Sequence, residues 1–467
     1  MYSVRGVIFR QLINDDLGCA SYLVGDEDAG VAAVVDPRLE VDEYLALARY
    51  MGVHIAHVLE THTHADHVSG HGRLAAATGA VIHVHRDAGA QYEHDPIDEG
   101  WALDLGAVRV VALHTPGHRP EHTAFALVDT TRGPEPWAVL TGDSLFVGDV
   151  ARPDLAVTAE EGARDIFRSL HGGLLGMAPE VEVWPGHLGG SLCGGPAMSM
   201  KVSSTIGYER SHNPQLAERD EDRFVQASLA AIGVQPPNFR RIVEINRGPL
   251  VTMDAPALPM TPVQVLRRQQ EGALIVDVRA DVQFDDAHIP GAVAVTALRA
   301  GFGTRLGWLA PPRQEVVLVG RDDADSRRAA GLAAAVGVDG VVGHLAGGMT
   351  SWREEGRPVA RTARLDVEAL AERMDADPDV QLIDVRETAE WRRVRIPGAL
   401  HRPWHALREP VPELDPARPV AVICASGQRA AIGASLIAGQ GVPRVFHVIG
   451  GGVEAWERLG RPVEREA

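Results

Sequence analysis

The stretch "THTHADHVSG", residues 61–70, sets His62, His64, Asp66 and His67 within six positions. Four polar side chains on so short a stretch would carry a large desolvation cost unless they held a ligand or one another. Imidazole nitrogens and carboxylate oxygens are borderline-to-hard donors suited to Zn, Fe or Mn, so a metal site is expected here. More candidate ligands follow: His118 in "HTPGHRPEH", Asp143 in "LTGDSLF" and His187 in "VWPGH". Each adjoins Gly or Pro, as a tight turn at a strand end requires.

A second chemistry lies near the other end of the chain. In "VICASGQRAA", residues 422–431, Cys424 closes an apolar run and a helical stretch follows. The six residues Cys424 to Arg429 form a loop, with Ala425, Ser426, Gly427 and Gln428 between them. Such a loop can turn its backbone N–H groups inward beside a helix N-terminus, making an anion nest. That setting lowers a thiol pKa and favours a thiolate nucleophile, and Arg429 would add positive charge. The other reading of such a cysteine, a small buried strand residue, is the one expected for Cys19.

The elements that must position these groups can be read from periodicity. "VAAVVDP", "IAHVLET", "AVIHVHR", "VRVVALHT", "TAFALVD", "WAVLTGD" and "VEVWPGH" read as strands, several ending in His, Asp or Gly. "EVDEYLALARYMG" reads as an amphipathic helix. The C-terminal half contains a duplication: "LIVDVRADVQFDDAHIPGAVAV" at 274–295 is echoed by "LIDVRETAEWRRVRIPGALHR" at 382–402, and "LAGGMTSWREEGRPV" at 345–359 by "VIGGGVEAWERLGRPV" at 448–463. A period above 100 residues is a duplicated domain rather than a solenoid, and its strand–helix alternation implies a small parallel α/β domain. The expected domains are 1–250, 260–360 and 364–467. "RGPLVTMDAPALPMTP" at 247–262 and "RPVARTARLD" at 357–366 read as linkers.

The 467 residues exceed one ordinary core, and 45% hydrophobic with 23% charged residues is a globular composition. A net charge of −18 and the absence of a basic stripe argue against nucleic-acid binding. Neither a signal pattern nor a membrane-spanning apolar run is evident. Three widely spaced cysteines make a poor disulfide framework, so a reducing cytoplasm is expected.

The H-x-H-x-D-H cluster with its three isolated partners resembles the metallo-β-lactamase superfamily. That resemblance implies an αβ/βα sandwich over about residues 1–245, with all seven ligand positions of the dinuclear members present. Two chemistries are then implied. A glyoxalase II-like thioester hydrolase would hold two metals, such as two Zn, bridged by Asp143. A persulfide dioxygenase would hold one Fe(II) through His62, His118 and Asp143, leaving His64, Asp66, His67 and His187, which serve the second metal in the dinuclear case, to orient ligands and line the pocket. "TGDSLFVGDVARPDL", "GHLGGSLCGG" and "STIGYERSHNPQL" resemble the dioxygenase type. On that reading Arg152 meets a carboxylate of a thiol carrier, with an ion pair to Asp154 as its alternative. Cys193 holds or relays sulfur, with a buried structural thiol as its alternative.

The "IDVR…IPGA…GGxxxW" frame of both repeats resembles the rhodanese family of sulfurtransferases, and its six-residue loop suits sulfur transfer. In the first repeat Gly320 stands where the cysteine belongs, with Asp322, Asp323 and Asp325 in the loop, so that domain is expected to be inactive. The whole chain resembles a persulfide dioxygenase–rhodanese fusion, an α/β multidomain enzyme. The expected substrates are a small-molecule persulfide and O2, with sulfite and thiosulfate exchanged at Cys424, no membrane or nucleic-acid partner, and a dimeric or tetrameric homo-oligomer. A sulfur carrier or sensor with a vestigial metal domain is the alternative outside enzyme chemistry.

Overall fold

The computed structural model describes residues 6–195, 197–253 and 257–466. The chain divides into two compact units: residues 1–254 together with 335–337, and residues 255–334 together with 338–467.

The first unit holds two six-stranded sheets. One runs, in spatial order, Val7–Ile13, Ala20–Asp26, Val31–Val35, His54–Leu59, Val81–His85 and Asp95–Ile97. Its first three strands are antiparallel neighbours, and from Val31–Val35 onward the pairing is parallel. The other runs Ser204–Thr205, Glu182–Pro185, Pro136–Gly142, Thr123–Asp129, Val108–His114 and Ala102–Leu105. The strand Val108–His114 shows how sequence produces this layering: with a two-residue period, Val108, Val110 and Ala112 turn inward while Arg109 stays exposed. Those residues join Tyr22, Val24, Val35, Leu59, Phe125, Leu127 and Leu140 in a core lying between the sheets.

Helices cover both outer faces. Helix Asp42–Met51 presents Tyr44 and Ala48, one turn apart, to a cluster containing Leu23, Val34 and Val58, and stops at left-handed Gly52. Helix Ala159–Gly172, capped by Thr158, buries Ile166 and Leu170 against Val139 and Val183 of the second sheet and against Phe146 beside it. This is the expected αβ/βα sandwich. Its sheets direct the loops after Leu59, His114, Gly142 and Pro185 to one site.

The second unit contains two five-stranded, wholly parallel sheets with the same strand order. One is Leu258–Met260, Val341–Leu345, Val316–Val319, Leu274–Asp277 and Val293–Ala294. The other is Ala363–Leu365, Val445–Val448, Val420–Ile423, Gln381–Asp384 and Leu400–His401. The repeated "DVR" is structural in both. Arg279 forms a bidentate pair with Asp277 and donates to the Ala287 carbonyl, and Arg386 does the same with Asp384 and the Val394 carbonyl.

Both expected linkers are shorter than the segments 247–262 and 357–366 suggested. Leu258–Met260 and Ala363–Leu365 are edge strands, and Thr261 and Asp366 cap the helices that follow. Pro is tolerated in the first of these because an edge strand leaves one row of N–H groups unused. Asp254, Ala255 and Pro256 of the first segment lie outside the described residues. Among the described residues no helix is long and apolar enough to cross a membrane.

Candidate functional site

The histidine cluster begins three residues after strand His54–Leu59, in a buried loop. Its backbone is held from two sides. The Asn246 side chain donates to the carbonyls of His64 and His67 and accepts from the Ser69 N–H. Asp36 sits in the left-handed region at φ 49°, accepting from the Thr61 N–H at 2.7 Å and the Thr61 hydroxyl at 2.8 Å. Such a conformation is uncommon for a non-glycine residue, and here it aims the carboxylate into the loop.

His62, His118 and Asp143 converge, each about 1% exposed or less. His118 Nε2 lies 3.4 Å and His62 Nε2 3.9 Å from Asp143 Oδ2. The outer hydrogen bonds set the tautomers. His118 Nδ1 lies 3.0 Å from the Arg152 carbonyl, which only accepts, so Nδ1 carries the proton. Thr61 directs its hydroxyl proton to Asp36 and therefore accepts from His62 Nδ1 at 2.9 Å. Each ring thus turns a bare Nε2 inward. His62 Nε2, His118 Nε2 and Asp143 Oδ2 are buried with no hydrogen-bond partner among the described residues. Burial keeps both rings neutral, pushing His62 well below the usual histidine range and lowering His118. Burial opposes ionisation of Asp143, but the neighbouring His187 outweighs it and holds the carboxyl at about 2. Two neutral imidazoles and an ionised carboxylate form a donor set that fits a divalent metal.

The other four candidate ligands have different surroundings. His187 places Nδ1 2.7 Å from Asp143 Oδ1 and Nε2 2.7 Å from Asp66 Oδ2. Asp66 Oδ1 meets His67 Nδ1 at 3.2 Å. His64 turns aside, its Nε2 3.2 Å from Asp36 and 3.3 Å from Glu60. Burial works against a charged His64 ring, yet Asp36 and Glu60 hold its pKa well above the usual value. His67 Nε2 has no hydrogen-bond partner among the described residues.

Glycines make the convergence possible at two points. A Cβ on Gly142, at φ 48°, would lie 2.7 Å from His122 Nε2, and one on Gly186 would lie 2.6 Å from Asp143 Oδ1. Both precede a site residue directly.

Three side chains differ from their expected surroundings. Arg152 does not face an open pocket: it grips Asp154 at 2.7 and 2.9 Å and donates to the Leu192 and Gly233 carbonyls. The ion-pair alternative therefore accounts for its donors. Cys193 packs with Phe146 and Ile206 in the hydrophobic layer but keeps Asp143 and His187 near its sulfur, and burial pushes its thiol well up. Cys19, expected as an ordinary strand cysteine, has its sulfur 3.2 Å from His187 Nε2 and 3.3 Å from Asp66 Oδ2. Cys19 and Asp36 have no local signature, because only long-range pairing brings them to the cluster, whereas Glu60 directly precedes it and lies four residues before His64.

At the second site Cys424 follows strand Val420–Ile423 and is 1% exposed. Gly427, at φ 102°, donates its N–H to Cys424 Sγ at 3.0 Å and caps helix Gln428–Gly439. Ala425 and Ser426 form the exposed rim of the loop. Arg429 does not stand as an isolated charge, because Glu390 pairs with it at 2.8 Å. Burial disfavours the charged guanidinium, but Glu390, Cys424 and Glu387 raise its pKa. In the first repeat a Cβ on Gly320 would lie 2.6 Å from Ser326 Oγ and 2.7 Å from the Asp322 carbonyl. That loop has closed on itself, with Ser326 accepting the Gly320 N–H.

The metallo-beta-lactamase superfamily model matches residues 14–187, and the rhodanese-like domain model matches residues 261–355 and 366–459. The mitochondrial persulfide dioxygenase of Bos taurus is 28% identical over 213 residues, 45% of this chain and 76% of that protein. The cytoplasmic hydroxyacylglutathione hydrolase of Arabidopsis thaliana is 34% identical over 170 residues, 36% of this chain and 62% of that protein. Among solved structures, a metallo-beta-lactamase from Staphylococcus aureus subsp. aureus COL is 27% identical with a TM-score of 0.66, covering 74% of this chain and 99% of its own. The superfamily and these relatives imply a bound metal, and the rhodanese-like domains imply small-molecule sulfur chemistry. The chain consists of a metallo-β-lactamase superfamily domain with persulfide dioxygenase relatives, followed by two rhodanese-like domains.

Proposed function

We propose that this protein oxidises a low-molecular-weight thiol persulfide with O2 at one iron and moves sulfane sulfur through Cys424. The oxidation balances as R–S–SH plus O2 plus water giving R–SH plus sulfite and two protons. Sulfur transfer is a separate exchange. The Cys424 thiolate attacks the outer sulfur of a second persulfide and releases R–S⁻; sulfite then takes that sulfur from the cysteine persulfide, giving thiosulfate and a proton and restoring the thiolate. The reverse direction uses the same residues.

The observation that carries the metal reading is the trio of inward, unpartnered atoms, His62 Nε2, His118 Nε2 and Asp143 Oδ2. Two histidines and one carboxylate are the ligand set of mononuclear non-haem iron oxygenases, which leave open positions for substrate. Bound Fe(II) supplies the electron chemistry that lets ground-state O2 react with sulfur. The surrounding residues orient that set. Thr61 with Asp36, and the Arg152 carbonyl, fix the two rings, while His187 occupies Asp143 Oδ1 and leaves a single oxygen to ligate. A second metal would have to separate Asp66 and His187 from each other.

Sulfur transfer is supported by the Gly427 N–H directed at Cys424 Sγ and by the open rim of its loop. The closed loop around Gly320 supports an inactive first repeat. A dinuclear thioester hydrolase is the second reading, favoured by the unpartnered His67 Nε2 and by the hydroxyacylglutathione hydrolase relative.

Metal content separates the two. Elemental analysis of protein loaded anaerobically with Fe(II) should give one metal per chain, lost in Asp143→Ala and retained in His67→Ala. Two metals per chain, with one lost in His67→Ala, would support the hydrolase.

A further inference from the structure

The cysteine-less first repeat reaches the sulfur loop of the second through a buried chain of hydrogen bonds. Asp285 lies on helix Asp281–Asp286 of the first repeat and is 4% exposed. Its Oδ2 is 2.8 Å from Nδ1 of His447, a fully buried residue on strand Val445–Val448 of the second repeat. His447 Nε2 in turn lies 2.9 Å from the carbonyl of Gly427, whose N–H donates to Cys424 Sγ. A second contact meets the next residue: Arg305, on helix Phe302–Leu309, donates to Gln428 Oε1 at 3.2 Å.

Carboxylate and carbonyl oxygens only accept, so the His447 ring is the donor toward Asp285 and toward the Gly427 carbonyl. Arg364 Nε, 3.3 Å from Asp285 Oδ2, meets the same carboxylate. The first repeat lacks this arrangement. Its strand Val341–Leu345 also carries a buried histidine, His344, but Nδ1 of that ring faces the neutral Ala257 carbonyl at 3.1 Å. In the aligned "DVR…IPGA" frame, the second repeat has Arg392 where the first has Asp285. The carboxylate that steadies the working loop is therefore supplied by the neighbouring domain and not by the repeated fold.

We propose that the first rhodanese-like domain is a positioning domain for sulfur transfer, Asp285 acting through His447 to hold Gly427 so that its N–H faces the Cys424 sulfur. Asp285 and His447 are positioning residues and touch no substrate. Gly427 occupies a left-handed conformation with an adjustable backbone, and pinning its carbonyl fixes the peptide geometry around it. The inference rests on the reading of Cys424 as the sulfur carrier.

The test uses the full chain and thiosulfate-to-cyanide sulfur transfer, which needs no metal. Asp285→Asn and His447→Gln should each lower kcat about tenfold while changing the KM for thiosulfate less than threefold. The same variants should slow iodoacetamide alkylation at Cys424, followed by mass spectrometry of its peptide, by about tenfold, the scale of one weakened hydrogen bond to a charged group. Asp285→Glu should recover most of the rate, and Asp286→Asn, an exposed neighbour paired with Arg353, should match wild type. Unchanged kcat and alkylation in both Asp285→Asn and His447→Gln would overturn the inference. So would rate losses that only track a lowered melting transition, since that is a structural role. Wild-type protein with no sulfur transfer would instead refute the reading of Cys424.

Discussion

On the proposed reading, individual residues divide the chemistry between two sites, and the division can be measured. Asp143→Ala or His118→Ala should remove metal and persulfide-dependent oxygen uptake while leaving thiosulfate-to-cyanide transfer within twofold of wild type. Cys424→Ser should do the reverse, abolishing thiosulfate formation with oxygen uptake retained; loss of both activities in either variant would contradict separable sites. Arg152→Ala should act on stability, because the side chain is committed to Asp154 and two carbonyls. A loss of about 2 kcal/mol in denaturant titrations, with little change in persulfide KM, is expected. Asp36→Asn should weaken iron affinity 10- to 100-fold through Thr61 and His62, as second-sphere changes do, and a competition titration with a chelator measures it. The contrast between these residues defines what the sequence discloses. His62 announces itself by its cluster, and His118 and Asp143 by type and by the glycines that precede them. Asp36 looks like any strand-ending aspartate, and its role depends on a left-handed backbone and a partner 25 positions away. Cys19 is likewise brought beside Asp66 and His187 only by tertiary pairing.

At the scale of elements, strand ends deliver the candidate ligands and small residues let them meet. Gly186→Ala would push a methyl group to 2.6 Å from Asp143 Oδ1. Iron binding should fall at least tenfold in such a variant, while its cyanide-dependent sulfur transfer remains. Gly320→Cys offers the complementary experiment. Its Cβ meets Ser326 and the Asp322 backbone, so in a Cys424→Ser background the new cysteine should restore no sulfur transfer. Restored turnover would show that the loop reopens easily. Alternating strands such as Val108–His114 were legible from their two-residue period, and helix Asp42–Met51 from its apolar face and terminal glycine. The edge strands Leu258–Met260 and Ala363–Leu365 were not. Three-residue strands have too little periodicity to register, and Pro and Arg there read as linker until a sheet edge is supplied.

For the whole molecule, the duplication was legible because both copies keep the arginine–aspartate pair and the glycine turns that define the fold. What the duplication is used for was not legible. The Asp285–His447–Gly427 chain joins residues 162 and 20 positions apart, distances over which no local pattern operates. If sulfite leaves the metal site freely, mixing Cys424→Ser with Asp143→Ala protein should restore thiosulfate formation in the presence of persulfide and O2. Failure to restore it, with each variant retaining its own half-reaction, would point to direct transfer within one chain. Oxidation at a single iron can be tested by side-by-side assays of one iron-loaded sample. Glutathione persulfide should trigger oxygen consumption with sulfite or thiosulfate appearing, while S-lactoylglutathione remains intact. No oxygen uptake, together with thioester cleavage that rises on adding zinc, would rule out the oxidation and assign the metal domain to hydrolysis.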